Sequence, residues 1–214
     1  MADKRRRRLR PSWIVGIVLV GALWCVLLLN GLVHPSIGVD AQGALHREDQ
    51  ASAAIPDSVR DGGPVIKVID GKAQSARLPP KTIALTFDDG PDPLWTPEVL
   101  SVLRKHGVPA TFFVVGSQVA QYPDLVRAMR STGSEIGLHT FSHVDLATVP
   151  VDVLDREITR TQLALVGATG ETSYLTRPPY SSGPSSLTGV QFETIRMLSD
   201  RGQLTVLSDI DSRD

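Results

Sequence analysis

One cysteine, Cys25, occurs in 214 residues. It lies inside an apolar run, so an intrachain disulfide and a cysteine-based metal centre are both excluded. Aromatic residues make up 5% of the chain, too few for a surface that grips a ligand through many stacked rings. The net charge is −1, so no global field draws the chain to nucleic acid or to an acidic polymer. No internal sequence repeat is present, which argues against a solenoid or an array. What remains is an ordinary apolar fraction of 42% and enough length for one domain plus an appendage.

The charge that is present is unevenly spread. Lys4 and Arg5 to Arg8 crowd the first ten residues, and the rest of the chain is acidic on balance. Directly after them comes WIVGIVLVGALWCVLLLNGLV, residues 13–33, with no charged side chain. As a helix rising ~1.5 Å per residue, a run of this length crosses a ~30 Å hydrocarbon core. A cleaved signal peptide has a shorter apolar core of roughly 7–15 residues, although the small residues Gly38 and Ala41 do follow. The expectation is a retained single-pass anchor in the cell membrane. The basic run then keeps residues 1–12 in the cytoplasm and places everything after Val33 outside. Its contact with the apolar span makes it a topogenic signal, and no nucleic-acid partner is expected.

Residues 34–80 read as a polar extracytoplasmic linker, rich in Ala, Gly, Ser and Asp. Inside it, 65–69 alternates around Lys67 and runs into Asp70-Gly71, which predicts a small hairpin ahead of the main domain. Pro79-Pro80 closes the stretch. From residue 81 to 214 short apolar strands alternate with amphipathic helices. Strands are predicted at 82–87 (TIALTF, buried), 110–115, 135–138, from 174, and at 204–207. Helices are predicted at 97–105, 123–131, 151–166 and 191–201, with Gly107, Gly133 and Gly202 as terminators. The alternation implies parallel strands joined by crossovers, hence an α/β fold built as an open sheet or a barrel.

Three motifs stand at predicted strand ends, where α/β folds build their sites. Asp88-Asp89-Gly90-Pro91 follows TIALTF, and neighbouring residues on an extended chain point opposite ways, so the two carboxylates can serve different ends. His139 and His143 flank HTFSH; on a turn of helix an i, i+4 pair presents both imidazoles on one side. Two imidazoles and a carboxylate leave coordination positions open, the pattern of a catalytic metal site. Arg177-Pro178-Pro179-Tyr180 is the third. Its prolines stiffen the turn and remove two donors, the Tyr180 N–H stays free, and Arg177 can pair with a carboxylate. Each has a plainer reading alone: an Asp-Gly turn, a chance histidine pair, a rigid loop. His34, His46 and His106 read as solvated surface residues.

Taken together, TFDDGP, HTFSH and RPPY resemble the motifs of the polysaccharide deacetylases of the NodB-homology class, carbohydrate esterase family 4. The resemblance covers roughly residues 81–214. It implies a distorted (β/α) barrel and a divalent metal, usually zinc, with cobalt, nickel or manganese as substitutes. It also implies removal of acetyl groups from an N-acetylated glycan of the cell wall or surface. Carried over residue by residue, Asp89, His139 and His143 would bind the metal and Asp88 would be the catalytic base. Arg177 would orient Asp88, and the Tyr180 backbone N–H would stabilise the oxyanion.

The sequence also departs from the family. The fourth motif, D-x-x-D-W, is met by Asp211-Ser-Arg-Asp214 without its Trp, and the fifth, with the general-acid His, is absent. Asp211 would orient that His. The expectation is therefore a barrel incomplete at its C-terminus, the front part of a longer protein, poorly soluble and weakly active by itself. The anchor, linker and order also resemble the front of actinobacterial fusions in which a deacetylase precedes a membrane glycosyltransferase. Two rival readings remain: an esterase that removes O-acetyl groups, and a non-catalytic sugar-binding module of the same fold.

Overall fold

The computed structural model of the chain describes residues 54–181 and 183–210. Backbone contacts divide the molecule into two units, Met1–Ala41 and Gln42–Asp214. The first, with the span expected at 13–33, lies outside the described residues. Among the described residues no helix is long and apolar enough to cross a membrane.

The second unit opens with a short helix, α1 (Asp57–Arg60), followed by strands β1 (Val65–Ile69) and β2 (Lys72–Ala76). Asp70 and Gly71 join them, both with left-handed φ (50° and 71°). A two-residue turn with positive φ at both positions matches the twist of an antiparallel pair, and Asp-Gly supplies it at low cost. The hairpin foreseen from the sequence therefore forms. It is not a separate appendage, because Val65 and Ile66 of β1 pair with Val206 and Thr205 of β7 (Leu204–Val206).

The remaining elements are β3 (Thr86–Phe87), α2 (Trp95–His106), β4 (Thr111–Val114), α3 (Gly116–Gln121), α4 (Pro123–Ser131), β5 (Glu135–Leu138), α5 (Val151–Thr169), β6 (Leu175–Thr176) and α6 (Gly189–Asp200). The strands form one seven-stranded mixed sheet in the order β2-β1-β7-β6-β5-β4-β3. Strands β3 to β7 run parallel, and β1 is antiparallel to both its neighbours, β2 and β7. Among the described residues the sheet is open, with β2 and β3 at its edges. This is the α/β architecture expected, with apolar clusters beneath the sheet. The larger gathers Phe112, Val114, Met129, Leu138, Leu154 and Leu165; the smaller joins Val59 and Ile66 to Phe192, Ile195 and Leu207. Removing one such side chain, as in Leu154→Ala, costs about 2–5 kcal/mol.

Local chemistry explains the helix bounds. Helix α2 starts two residues before the predicted Pro97 because the Asp92 carboxylate accepts from the N–H groups of Leu94 and Trp95 (2.8 and 2.7 Å). The Asp92 N–H in turn donates to Thr96 Oγ1 (2.9 Å). Helix α5 runs on to Thr169, beyond the predicted 166, and stops at Gly170 with φ 78°. Helix α6 begins in a capping box between Thr188 and Gln191.

One strand differs from its prediction. Of residues 82–87 only Thr86 and Phe87 join the ladder, and the segment is not buried: Ile83 is 83% exposed and Leu85 41%. The reason is position. An edge strand has a neighbour on one side only, and before Thr86 that neighbour offers one bond, from Thr111 N–H to Leu85 O (3.0 Å).

Candidate metal and active site

Because β3, β5 and β6 run parallel in one sheet, with β4 between β3 and β5, their C-terminal ends share an edge. That edge carries Asp88 and Asp89 after β3, His139 after β5 and Arg177 after β6. The three motifs, 38 to 51 residues apart in sequence, meet there.

Asp89 has a left-handed φ of 68°, uncommon for a residue with a Cβ. Its Oδ1 lies 2.9 Å from His143 Nε2 and 3.3 Å from His139 Nε2. One ligand atom from each of Asp89, His139 and His143 falls within 4.8 Å of the others. Three bonds of ~2.0–2.2 Å to a tetrahedral ion imply ligand edges of roughly 3.4 Å, so the trio fits a divalent metal. His139 strengthens the fit. Its buried ring places Nδ1 2.7 Å from the carbonyl oxygen of Arg177. That oxygen can only accept, so Nδ1 carries the proton and Nε2 is left with its lone pair facing the site, the usual arrangement of a metal-binding imidazole. The Asp89 carboxyl is held below its ordinary value of 3.8, chiefly by the hydrogen bond with His139. Partial burial opposes this, and the charge of the two imidazoles adds to it.

Asp88 points elsewhere. Its Oδ1 accepts from Arg177 Nη1 at 2.8 Å, and its other oxygen has no protein partner among the described residues. Arg177 is buried and spends its donors on fixed acceptors: Nη1 also on Thr86 Oγ1 (2.9 Å), Nε on Val206 O (2.9 Å) and Nη2 on Leu207 O (3.2 Å). Its guanidinium stands over the Phe113 ring, 4.2 Å from the centroid. Burial lowers the Arg177 pKa and Asp88 partly offsets that; an arginine stays charged regardless.

Tyr180 has a left-handed φ of 58°, and its ring meets the edge of His143 at 5.0 Å. Its N–H makes no hydrogen bond among the described residues, and its carbonyl accepts from Gln191 Nε2 (3.3 Å). Asp211 lies outside the described residues.

The histidine loop is not the turn of helix that its i, i+4 spacing suggests. Thr140 and His143 both adopt left-handed φ (63° and 59°), which folds the loop back on itself and brings the second imidazole to the first. The rings lie 5.1 Å apart. The loop is held from two sides. Gly116 and Ser117 at the start of α3 donate to the carbonyls of Thr140 and Phe141 (2.9 Å each). From α5, the Glu157 carboxylate accepts from the N–H groups of Phe141 and Ser142 (2.7 and 2.8 Å) and from Ser142 Oγ (2.9 Å). Arg160, three residues further along α5, covers the Phe141 ring at 3.7 Å.

Sequence reasoning did not single out Glu157, Gly116 or Thr86. Glu157 carried a signal: it falls on the inner face of α5 beside Leu154, Ile158, Thr161 and Leu165, all buried. A carboxylate among core positions needs several donors. Gly116 and Thr86 carried none.

Residues 75–193 match the polysaccharide deacetylase family. The chain belongs to that family. Among curated deacetylases, it is 47% identical over 88 residues to a chitooligosaccharide deacetylase of Rhizobium leguminosarum bv. trifolii, covering 41% of each chain. It is 42% identical over 98 residues to a peptidoglycan-N-acetylglucosamine deacetylase of Bacillus cereus, covering 46% of this chain and 36% of that one. Among solved structures, a family 4 carbohydrate esterase from Streptomyces lividans in complex with acetate superposes with a TM-score of 0.54 at 37% identity. That match covers 61% of this chain and 64% of the esterase. The chain thus spans about two fifths of the length of these two curated relatives. Deacetylases of this family are metal-dependent, and here Asp89, His139 and His143 form the site that fits a metal.

Proposed function

We propose that the chain is a membrane-anchored, zinc-dependent deacetylase that hydrolyses the acetamido groups of a cell-wall or surface glycan. N-acetylglucosamine or N-acetylmuramic acid units would be its substrate. One observation carries the reading: two adjacent carboxylates are divided between two tasks. Asp89 is shared by His139 and His143, while Asp88 is turned away onto Arg177. The names of the relatives, deacetylases of chitooligosaccharide and peptidoglycan N-acetylglucosamine, support an acetamido substrate.

Asp89, His139 and His143 would hold the metal. Two imidazoles and a carboxylate are ligands zinc accepts while keeping an open position. When bound, a divalent ion polarises a carbonyl and lowers the pKa of a bound water towards ~7. Asp88 would be the base. Arg177 fixes its Oδ1, so its other oxygen is the one to receive the proton of the attacking water. The Tyr180 N–H, with no other acceptor among the described residues, would donate to the oxyanion as the carbonyl carbon becomes tetrahedral. The two prolines before it hold that donor in place.

The anchor is residues 13–33, with the basic tail in the cytoplasm and the catalytic domain outside. If so, the protein stays in carbonate-washed membranes and a form lacking residues 1–33 is released. Recovery of the full chain in the soluble fraction would refute the anchor.

The function is tested by acetate release from peptidoglycan, chitin oligomers and acetyl-xylan, with and without zinc. Zinc-dependent release from the N-acetylated glycans, even if slow, that disappears in Asp88→Asn is the expected result. Release from acetyl-xylan alone would make the chain an O-acetyl esterase. Bound zinc with no acetate from any substrate would make it a non-catalytic module.

A further inference from the structure

Glu157 is 5% exposed, and every hydrogen bond that its carboxylate makes among the described residues goes to the loop between two of the three residues that fit a metal. Phe141 and Ser142 lie between His139 and His143. Their N–H groups point at one carboxylate oxygen, Oε2, and the Ser142 hydroxyl at the other. The loop needs such a hold. Two of its five residues, Thr140 and His143, are left-handed without being glycine, a conformation that persists only where the surroundings over-determine it. The Thr140 and Phe141 carbonyls are taken by the N-terminus of α3. Among the described residues the Phe141 and Ser142 N–H groups have no acceptor but Glu157. Helix α5 also packs against α3, so the two holds belong to one rigid assembly.

We infer that Glu157 is a positioning residue for the metal site: by accepting the Phe141 and Ser142 N–H groups it fixes the spacing of the His139 and His143 Nε2 atoms, and with it the affinity for a divalent cation. The inference rests on the reading of Asp89, His139 and His143 as the metal site. Glu157 acts on the backbone between the ligands, not on a ligand. What matters is therefore the reach and number of its acceptors. Glutamine keeps the reach: its carbonyl oxygen can take both N–H groups and its amide can donate to a rotated Ser142 hydroxyl. Aspartate keeps the charge but falls one methylene short.

The test is zinc affinity by competition with a chromophoric chelator, and the visible spectrum of the cobalt-loaded protein, on the full chain. Circular dichroism checks folding. Glu157→Asp and Glu157→Ala are expected to weaken zinc binding by about tenfold or more, the size of effect seen when outer partners of metal ligands are lost. Their cobalt spectra should change in intensity and position. Glu157→Gln should bind within about threefold of wild type and keep its spectrum, a rescue that loss of charge alone would not allow. Ser142→Ala, on an exposed side chain that the fold does not need, should weaken binding by a smaller factor. Wild-type affinity and spectrum in Ser142→Ala and in every Glu157 variant that folds would overturn the inference while leaving the metal site standing. Absence of zinc binding in the wild type would sink both together.

Discussion

Arg177 Nη1 stands 2.8 Å from Asp88 Oδ1 and 2.9 Å from Thr86 Oγ1, bridging the residues on either side of Phe87 at the end of β3. The same guanidinium reaches two carbonyls on the far side of the sheet, Val206 O and Leu207 O. The bond that orients Asp88 is thus also a tie between β3, an edge strand, and β7, with three strands between them.

Arg177→Met should therefore damage two things at once. Two carbonyls and a carboxylate lose a charged donor, at about 1–3 kcal/mol for each group left buried without a partner. The expected loss is on the order of 3 kcal/mol, read as a lower urea midpoint and a melting temperature down by several degrees. Acetate release should fall further than the unfolded fraction accounts for. Arg177→Lys should recover part of the stability and little of the turnover, because an ammonium cannot serve four acceptors in one plane. Equal turnover per folded molecule in wild type and Arg177→Met would show that Asp88 needs no orienting.

The two carboxylates can be separated by substitution. Asp89→Asn removes the ligand shared by His139 and His143, and bound zinc should drop to background in elemental analysis. Asp88→Asn leaves that trio intact, so zinc should stay stoichiometric while acetate release falls by about 10²–10⁴-fold, the usual worth of a general base. Retained zinc in Asp89→Asn would reassign the ligands; retained turnover in Asp88→Asn would reassign the base.

The part of the site that was legible in the sequence is the part carried by residue type and order. Asp88, Asp89, His139, His143 and Arg177 could be named because chemistry at strand ends has few alternatives. The bounds of α4 and β5 coincide with those read from periodicity, 123–131 and 135–138, because both are regular elements closed by strong signals. What was not legible depends on neighbours. Nothing in TIALTF says that it lies at an edge, so a strand that reads as buried ends with Ile83 in solvent. The left-handed φ values of Thr140 and His143 are imposed by α3 and α5, helices with 29 residues of chain between them that no local pattern links to HTFSH. Residues 13–33 and Asp211 lie outside the described residues, and the expectations placed on them stand as expectations.

Gly137 links the core, through Phe113 and Arg177, to Asp88. A Cβ built there would lie 2.4 Å from both Cδ1 and Cε1 of Phe113, a fully buried ring that supports the Arg177 guanidinium. Gly137→Ala must push that ring, and the ring can move only with Arg177. A destabilisation of about 1–3 kcal/mol is expected from overpacking alone. Turnover should fall, since the disturbance runs through the Arg177 guanidinium to Asp88. A double-mutant cycle with Arg177→Met checks the route: the two effects on turnover should be less than additive. Full additivity would place the damage elsewhere.

Acid should reveal the hydrogen bond between Asp89 and the imidazoles in the metal-free protein. His139 keeps one proton on Nδ1 for the Arg177 carbonyl, so it donates to Asp89 from Nε2 only as an imidazolium. The Asp89 carboxyl is thereby held below its ordinary 3.8. A carboxyl with a depressed folded value adds stability that is complete above its unfolded value and is lost as pH falls through the folded one. The window for Asp89 thus opens near pH 4 and extends downward. Its carboxylate is largely open to solvent, so the contribution is a screened one. Urea midpoints of the metal-free chain, taken in steps from pH 5 to pH 3, should fall less steeply in Asp89→Asn than in wild type. A carbon-detected titration of the Asp89 carboxyl should place its midpoint below 3.8. A midpoint at or above that value, with superimposable acid limbs, would mean that the imidazoles do not hold the carboxylate until a metal joins them.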